Sequence, residues 1–202
     1  MEQGDLYFYE DRTPFSERLI WIVVAAVVAV LELKDFIKNF VNELKLGYYT
    51  EHGIKKMGRI GLRKILPHRG NALMIDGISY DPKKPDEIIA TKRLRRWDPL
   101  FDGHFPDNPI FSGHFLEECM CLASAALAKL ANENFKGLPV VAKKEGVSFE
   151  NPARPGDLLK IHSQLIREKL GVFIFSAEIL NQENRIVAKI EKLTGVSSVK
   201  KD

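Results

Sequence analysis

The pattern of apolar and polar positions changes twice along the chain. Residues 19–31 are apolar and uncharged throughout, whereas residues 33–44 keep apolar side chains at helical spacing on one face. Thr13 followed by Pro14 is typical of a helix start, and Gly47 is typical of a stop, so the pattern predicts one long helix between them. The valine-rich part of this stretch would also suit a strand.

The apolar run in this helix needs a cover, and two covers remain open. At helical rise the run is roughly 20 Å long, short of the roughly 30 Å of a bilayer core. Packing against the domain or another subunit would bury it, and so would membrane contact through residues 14–46. A secretory signal is disfavoured because acidic residues precede the run and no small-residue cleavage site follows it. Residues 1–12 lack periodicity and predict a loose or partner-dependent lead.

From residue 72 onward, short apolar runs alternate with turns, which is typical of strands. Two runs, 73–78 and 87–94, flank a polar loop and predict a hairpin. Four further strand candidates follow, at residues 140–149, 158–168, 172–182 and 185–196. Between the two groups, Ser112 is a good N-cap residue, and an apolar, alanine-rich helix runs from Gly113 to about Asn132. One long helix among five or six antiparallel strands indicates an α+β fold.

These patterns predict an N-terminal extension, residues 1–53, and a folded domain, residues 54–202. Residues 47–62 are broken by glycines and rich in basic side chains, which predicts a linker or a short entry helix. A chain of 202 residues with 45% hydrophobic content can bury one core plus an appendage. The net charge of +3 is modest and no basic stripe is present, so nucleic acid is a poor candidate partner.

The two cysteines, Cys119 and Cys121, lie two residues apart on the predicted central helix. Their side chains therefore point to different sides, which excludes a mutual disulfide. We expect both to be small core residues of a cytoplasmic protein in a reducing compartment. The chain has no phosphate-binding glycine loop, and no cofactor is implied.

The residues with the clearest chemical potential lie between Phe101 and Met120. Two prolines in this stretch fix the backbone, so the preceding histidine, His104, is predicted to be held in a rigid loop. Glu118 lies on the apolar helix that follows, where a carboxyl group is costly unless it is protonated, paired or used. A loop histidine together with a buried carboxyl group suggests acid/base chemistry.

The sequence Gly-His-Phe-Pro-x-x-Pro-x-x-x-Gly-x-x-x-x-Glu at 103–118 resembles the active-site motif of FabZ-type 3-hydroxyacyl-acyl-carrier-protein dehydratases. The segments Leu66-Pro-His-Arg69, Leu73-Met-Ile-Asp76 and Val147 to Asp157 are similar to other parts of that family, so the resemblance covers roughly residues 60 to 197. It implies the hotdog fold, a long central helix wrapped by an antiparallel sheet. It also implies loss of water from a 3-hydroxyacyl thioester in fatty-acid or related lipid biosynthesis.

The resemblance further implies a role for each motif residue. His104 would be the base that takes the C2 proton, Glu118 the acid that protonates the departing hydroxyl, and Gly113 the oxyanion donor. Phe105, Pro109 and His114 are predicted to contact substrate. The implied partners are acyl carrier protein and further copies of the chain, as a homodimer or trimer of dimers in which one site takes His104 and Glu118 from different protomers. No metal is implied.

Several positions depart from the family's usual residues. Ser112, His114 and Leu122 stand where proline, a small aliphatic residue and glutamine are usual, and Gly70-Asn-Ala72 replaces a bulky aromatic stretch. The glutamine is a usual hydrogen-bond partner of the catalytic glutamate, and His114, one helical turn from Glu118, is a candidate to replace it. His68 is predicted to be structural, pinning a loop by hydrogen bonds.

Three alternatives stay open at this point. The domain would also suit a hydratase or thioesterase acting on coenzyme A or a specialised acyl thioester, or a non-catalytic module that binds acyl chains or partner subunits. His104, His114 and Glu118 would suit a metal ion by residue type alone. A basic cluster formed by residues 94–97 with Lys143, Lys144 and Arg154 is a candidate carrier-protein surface.

Overall fold

The computed structural model describes residues 20, 22–31, 33–34, 37, 47–132, 135 and 137–198. The chain forms two compact units, residues 1–42 and residues 43–202. In the first unit the described backbone is helical, so the strand alternative for the valine-rich run is wrong. Its described apolar side chains are exposed on every side, for example Val23 at 55% and Val27 at 52%. Three parts of the prediction lie outside the described residues. They are the lead at 1–12 and the two ends of the predicted long helix, 13–19 and 38–46.

Among the described residues, no helix is long and apolar enough to cross a membrane.

The second unit is built on one antiparallel sheet of eight strands. These are β1 (Tyr48–Glu51), β2 (Ile54–Gly58), β3 (Gly77–Tyr80), β4 (Glu87–Arg93), β5 (Leu138–Phe149), β6 (Leu158–Lys169), β7 (Val172–Leu180) and β8 (Ile186–Ser198). Their order across the sheet is β1-β2-β3-β4-β6-β7-β8-β5, so the chain crosses from β4 to the far edge before it returns. Within the part of the chain that the structure describes, strand β5 pairs only with β8 and forms that edge.

Two α-helices accompany the sheet, α1 (Arg59–Ile65) and α2 (Gly113–Ala131). Helix α2 packs across β4, β6, β7 and β8, because alternate side chains of each strand point toward it. In β7, for example, Phe173 and Phe175 are buried and the residue between them is only half-buried. The buried residues form one core, and each large apolar side chain in it contributes roughly 1.5–3 kcal/mol. This is the hotdog arrangement, so the predicted α+β fold class is confirmed.

The predicted strands after the central helix are confirmed. The hairpin before it is also confirmed, as β3 and β4, but its first strand is Gly77–Tyr80 and not 73–78. Helix α2 begins directly after Ser112, as predicted, although the Ser112 side chain makes no capping hydrogen bond. Both cysteines are buried and free. The sheet has eight strands rather than five or six, because residues 47–58 form a further hairpin.

The linker prediction for residues 47–62 is therefore wrong, and only its short entry helix survives, as α1. Strand β1 pairs with β2 from Tyr48↔Met57 to Glu51↔Ile54, and β2 pairs with β3. The predicted domain boundary at 53/54 remains a prediction, although this strand pairing runs across it.

Candidate active site

His104 lies in the loop before helix α2, and the backbone fixes its ring. The Nδ1 atom is 2.9 Å from the carbonyl oxygen of Ile110, and the Ile110 N–H donates to the His104 carbonyl at 2.9 Å. A carbonyl oxygen can only accept, so Nδ1 carries the proton and, in the neutral ring, Nε2 carries the lone pair. The ring also stacks on Phe105 at a centroid distance of 4.4 Å. This arrangement leaves Nε2 as the atom that can take a proton.

The start of helix α2 lies in the same cleft as His104. The first hydrogen bonds of the helix are donated by Phe115 and Leu116 to the Ser112 carbonyl, so the N–H groups of Gly113 and His114 precede them. A Cβ atom on Gly113 would lie 2.8 Å from the Phe149 ring, so a side chain here would require that ring to move. We call this region the His104 cleft; it is lined by His104, Ser112, Gly113, His114, Glu117, Phe149 and Glu150, among others.

Glu118 lines a separate and more enclosed space under the helix. This Glu118 cavity has a volume of about 270 Å³. Its lining includes residues of helix α2 and of strands β5, β7 and β8, among them Glu118, Cys121, Leu122, Ser124, Phe173 and Phe175, together with His68 and Phe135. From Glu118 to Ala128 the helix rises about 15 Å along the cavity wall. The space is therefore long and mostly apolar, with a carboxyl group in its wall.

Burial raises the pKa of Glu118, while the nearby charges of His68 and Lys144 act in the opposite direction. Lys144 forms an ion pair with Glu117, the residue that precedes Glu118 on helix α2. Burial also raises the pKa of the Cys121 thiol to about 12, so this thiol stays neutral beside Glu118. Burial thus favours the protonated form of the Glu118 carboxyl group in this cavity.

One chain does not bring the two predicted catalytic residues into one space. His104 lines the His104 cleft and Glu118 lines the Glu118 cavity, and none of the cavities found among the described residues contains both. The joint action of the two residues in one catalytic site stays a prediction.

A family model described as a FabA-like domain matches residues 66–190. The chain belongs to the FabA-like family. It is 35% identical over 135 residues to the 3-hydroxyacyl-acyl-carrier-protein dehydratase FabZ of Thermotoga neapolitana, covering 67% of this chain and 94% of that relative. The FabZ of Ruminiclostridium cellulolyticum is 34% identical over 112 residues, covering 55% of this chain and 78% of that relative. The resemblance to FabZ-type proteins is thus confirmed.

Among solved structures, the dehydratase heterocomplex ApeI:P from Xenorhabdus doucetiae matches with a TM-score of 0.57 at 15% identity. The match covers 69% of this chain and 91% of that chain. At this identity the likeness concerns the fold alone.

The remaining predicted site residues of the FabA-like domain lie around the His104 cleft. Phe105 is 53% exposed and stacks on His104, and Pro109 precedes the residue whose carbonyl holds the His104 ring. His114 is exposed and lines the His104 cleft, not the Glu118 cavity. It is therefore badly placed to replace the missing glutamine beside Glu118 of its own chain. The functional roles of all these residues stay predictions.

His68 is the residue that sequence reasoning misjudged. The loop after helix α1 is pinned by Arg69 instead, which donates to the carbonyls of Leu66 at 2.7 Å, His68 at 2.8 Å and Arg63 at 2.7 Å. The His68 ring makes no hydrogen bond with any described residue, and its Nδ1 atom is buried. Only the lining of the Glu118 cavity shows that His68 lies near Glu118, because no sequence spacing links residue 68 to residue 118.

Two further expectations change in the structure. Among the described residues, no three or more histidine, cysteine, aspartate or glutamate side chains come together as a metal ion would require. The basic cluster is divided, since Lys143 and Lys144 lie on edge strand β5, while residues 94–97 follow β4, with β6, β7 and β8 between these two strands. Arg154 belongs near the His104 loop, where it donates to the Asn108 side chain at 2.6 Å.

Proposed function

We propose that this protein is a dehydratase that removes water from a 3-hydroxyacyl-acyl-carrier-protein thioester to give the trans-2-enoyl thioester, in fatty-acid or related lipid biosynthesis. One observation carries the proposal. A histidine whose Nδ1 is tied to a carbonyl offers Nε2 as a base, while burial raises the pKa of a glutamate that can serve as the acid. Environments that push two groups toward opposite protonation states are typical of acid/base pairs. The FabZ names of the relatives support the same reaction.

In this reaction the proton and electron changes balance within the site. Nε2 of His104 takes the proton from C2, and the electron pair of that C–H bond forms the C2–C3 double bond. The C3–O bond breaks, and the departing hydroxyl takes the proton of Glu118 and leaves as water. His104 has gained one proton and Glu118 has lost one, so exchange with solvent restores both. Each of these roles is typically worth about 10² to 10⁴ in rate.

Negative charge develops on the thioester oxygen when the C2 proton leaves. The backbone N–H groups of Gly113 and His114 precede the first internal hydrogen bonds of α2, and the helix dipole places positive partial charge at this end. The bare backbone at Gly113 lets a thioester approach. The Glu118 cavity, with its long apolar wall, suits the acyl chain.

We also propose that the catalytic unit is a homodimer formed through edge strand β5. This strand has one partner strand, and it exposes apolar side chains, including Leu138 at 49% and Val140 at 43%. If two copies of β5 pair antiparallel over their full length, residues near 140 of one copy lie opposite residues near 149 of the other. Val140 lines the Glu118 cavity and Phe149 lines the His104 cleft, so this pairing would join the two half-sites.

The test is hydration of a short trans-2-enoyl thioester on acyl carrier protein, followed by loss of enoyl absorbance. The parent is expected to turn over, and His104→Ala and Glu118→Gln are each expected to lower kcat by about 10² to 10⁴. The same acyl group on coenzyme A separates a carrier-protein enzyme from a coenzyme A hydratase. Absence of turnover on both carriers at several chain lengths would favour a non-catalytic acyl-binding module. Full activity of His104→Ala would place the base elsewhere.

For the N-terminal extension, we propose an apolar cover for residues 22–31, supplied by another subunit or by a membrane surface on the cytoplasmic side. The support is the exposure of its apolar side chains on every side of the helix. Replacing Val24 and Val28 with aspartate introduces two charges into this run. Sedimentation with anionic vesicles and the oligomer size in solution, both measured with and without the change, separate the two covers. If neither measurement responds, the run has no such cover.

A further inference from the structure

The Glu118 cavity contains one buried polar atom that nothing in the described structure satisfies. The Nδ1 atom of His68 has no hydrogen-bond partner there, although a buried polar atom of this kind normally has one. The loop around it is held by hydrogen bonds from Arg69, and the His68 ring takes no part in them. This buried nitrogen lies in the wall of the cavity that Glu118 also lines, so a polar group of that lining is its nearest source of a partner.

Few polar groups in the cavity are available to be that partner. Ser124 donates to the Met120 carbonyl at 2.9 Å and shares a hydrogen bond of 2.8 Å with Ser163, so its hydroxyl is already used. Leu122 is apolar, at the position where the family usually carries a glutamine. The Cys121 thiol is a weak hydrogen-bonding group. The carboxyl group of Glu118 is the strong hydrogen-bonding group that remains in the cavity lining.

We propose that His68 is a positioning residue for Glu118, and that its Nδ1 hydrogen-bonds the Glu118 carboxyl group in the substrate-bound site. This role would otherwise fall to the glutamine that Leu122 replaces. After Glu118 has given its proton to the departing hydroxyl, Nδ1–H donates to the carboxylate and stabilises it. The inference rests on the proposed function for its kinetic part, whereas the contact between the two side chains can be tested without turnover.

The charged and titratable groups around Glu118 set the expected pH response. His68, from the loop after α1, and Lys144, from β5, both lower the pKa of Glu118 against the effect of burial. On helix α2 itself, Glu117 is paired with Lys144, and the pKa of both cysteines is raised to about 12 by burial. Removing His68 therefore raises the pKa of Glu118 further. In the hydration direction Glu118 must be ionised to take a proton from water, so the acidic limb of the pH–rate profile moves to higher pH.

The experiment compares three variants of the full chain. His68→Phe keeps the ring volume and removes both nitrogens, and His68→Asn keeps an amide nitrogen near the position of Nδ1. His162→Phe is the matched control, because His162 lies on β6 in register with Glu178 of β7 and lines neither cavity. The measurements are kcat and KM for enoyl hydration on acyl carrier protein, the pH–rate profile, and titration of the Glu118 carboxyl carbon by ¹³C NMR, assigned with Glu118→Gln. Thermal melts verify that each variant is folded.

The expected result is a fall in kcat of roughly 10- to 100-fold for His68→Phe with KM little changed, as for loss of one hydrogen bond to a charged group. The Glu118 titration moves to higher pH in the same variant, His68→Asn retains most of the activity, and His162→Phe matches the parent. A Glu118 titration that is unchanged in His68→Phe overturns the inference, whether or not the parent turns over. Equal losses of kcat in the Phe and Asn variants also overturn it. Absence of turnover in the parent, by contrast, counts against the proposed function alone.

Discussion

The His104 cleft and the Glu118 cavity are two halves of one proposed site, yet they are built by opposite means. In the cleft, backbone groups position the site: the Ile110 carbonyl orients the His104 ring, and the helix begins at Gly113. In the cavity, burial sets the chemistry of the site, because removal of water raises the pKa of Glu118. The predicted base thus lies in an open setting, and the predicted acid lies in a closed one that favours its protonated form.

This difference gives a physical reason why His104 and Glu118 line different cavities of one chain. A base must exchange its proton readily, which favours an open cleft, whereas an acid that stays protonated near neutral pH requires desolvation. One loop-and-helix segment supplies both residues, but they lie on different sides of the segment. Pairing of two copies through β5 would combine the two environments without compromising either.

The proposal that one site takes His104 and Glu118 from different chains is tested most directly by mixing two variants, each of which lacks one of these residues. His104→Ala and Glu118→Gln are each expected to be nearly inactive, because every site of either homodimer lacks one catalytic group. When the two proteins are mixed and allowed to exchange subunits, mixed dimers contain one intact site. Activity should return to about a quarter of the parent value, the statistical share for a symmetric dimer with two sites.

Lack of recovery after verified subunit exchange would mean that each chain uses its own His104 and Glu118. Two copies of the same variant, mixed in the same way, serve as the control.

The backbone-built half is tested by Gly113→Ala. The added methyl group meets the Phe149 ring at 2.8 Å, so the ring must shift over the start of the helix. We expect kcat/KM to fall roughly 10- to 100-fold, as for partial loss of an oxyanion donor. Phe149→Ala in the same chain should restore part of this loss. Gly58→Ala is the matched control, since a Cβ there meets no atom within 4 Å; an equal effect of both changes would contradict the close approach at Gly113.

The burial-built half is tested by the pH dependence of unfolding. The pKa of Glu118 is raised above its ordinary value of 4.5, so the folded protein binds this proton more tightly than the unfolded chain. The linked stability is fully present below pH 4.5 and is lost as pH rises through the folded pKa. Glu118→Gln, which has no proton to lose, should therefore gain stability relative to the parent as pH rises.

Urea unfolding of both proteins from about pH 4 to pH 8 measures this difference. A difference that is constant over the range would mean that Glu118 is not desolvated.

The smallest expected effect concerns the wall of the Glu118 cavity. Ser124 and Ser163 share a buried hydrogen bond of 2.8 Å between helix α2 and strand β6. Ser163→Ala should cost about 1 kcal/mol of unfolding free energy, and the double change to alanine should cost less than the sum of the single changes. Ser176→Ala, half-buried on β7, is the control with a cost near zero. Strict additivity of the two single changes would show that the two hydroxyls are not coupled.

The sequence predicted the central helix and the four strands after it because their patterns are local. The apolar stretch of α2 and the alternation along β7 each follow from a single element's own periodicity. The hairpin formed by β1 and β2 was missed for a physical reason. Its two strands are short, and lysines such as Lys55 and Lys56 together with the turn glycine Gly53 interrupt the apolar alternation that would reveal them.

His68 was misjudged because its neighbours come from elsewhere in the chain. Its loop belongs to the entry to the sheet, while Glu118 lies on α2 and Lys144 on β5. Residue spacing carries no information on such contacts, and the same limit applies to His114, whose helical spacing from Glu118 suggested a partner that the two separate cavities do not support.

The sequence by itself determined the fold class and the loop and helix on which His104 and Glu118 lie, and it predicted these two residues as candidates for catalysis. These features depend on local backbone preferences and on the periodicity of single elements. Only the tertiary structure decided that the two residues line different spaces, that burial raises the pKa of one of them, and that His68 accompanies it. These features depend on which strands neighbour the helix, because desolvation and contact are properties of the packed molecule and not of any single segment.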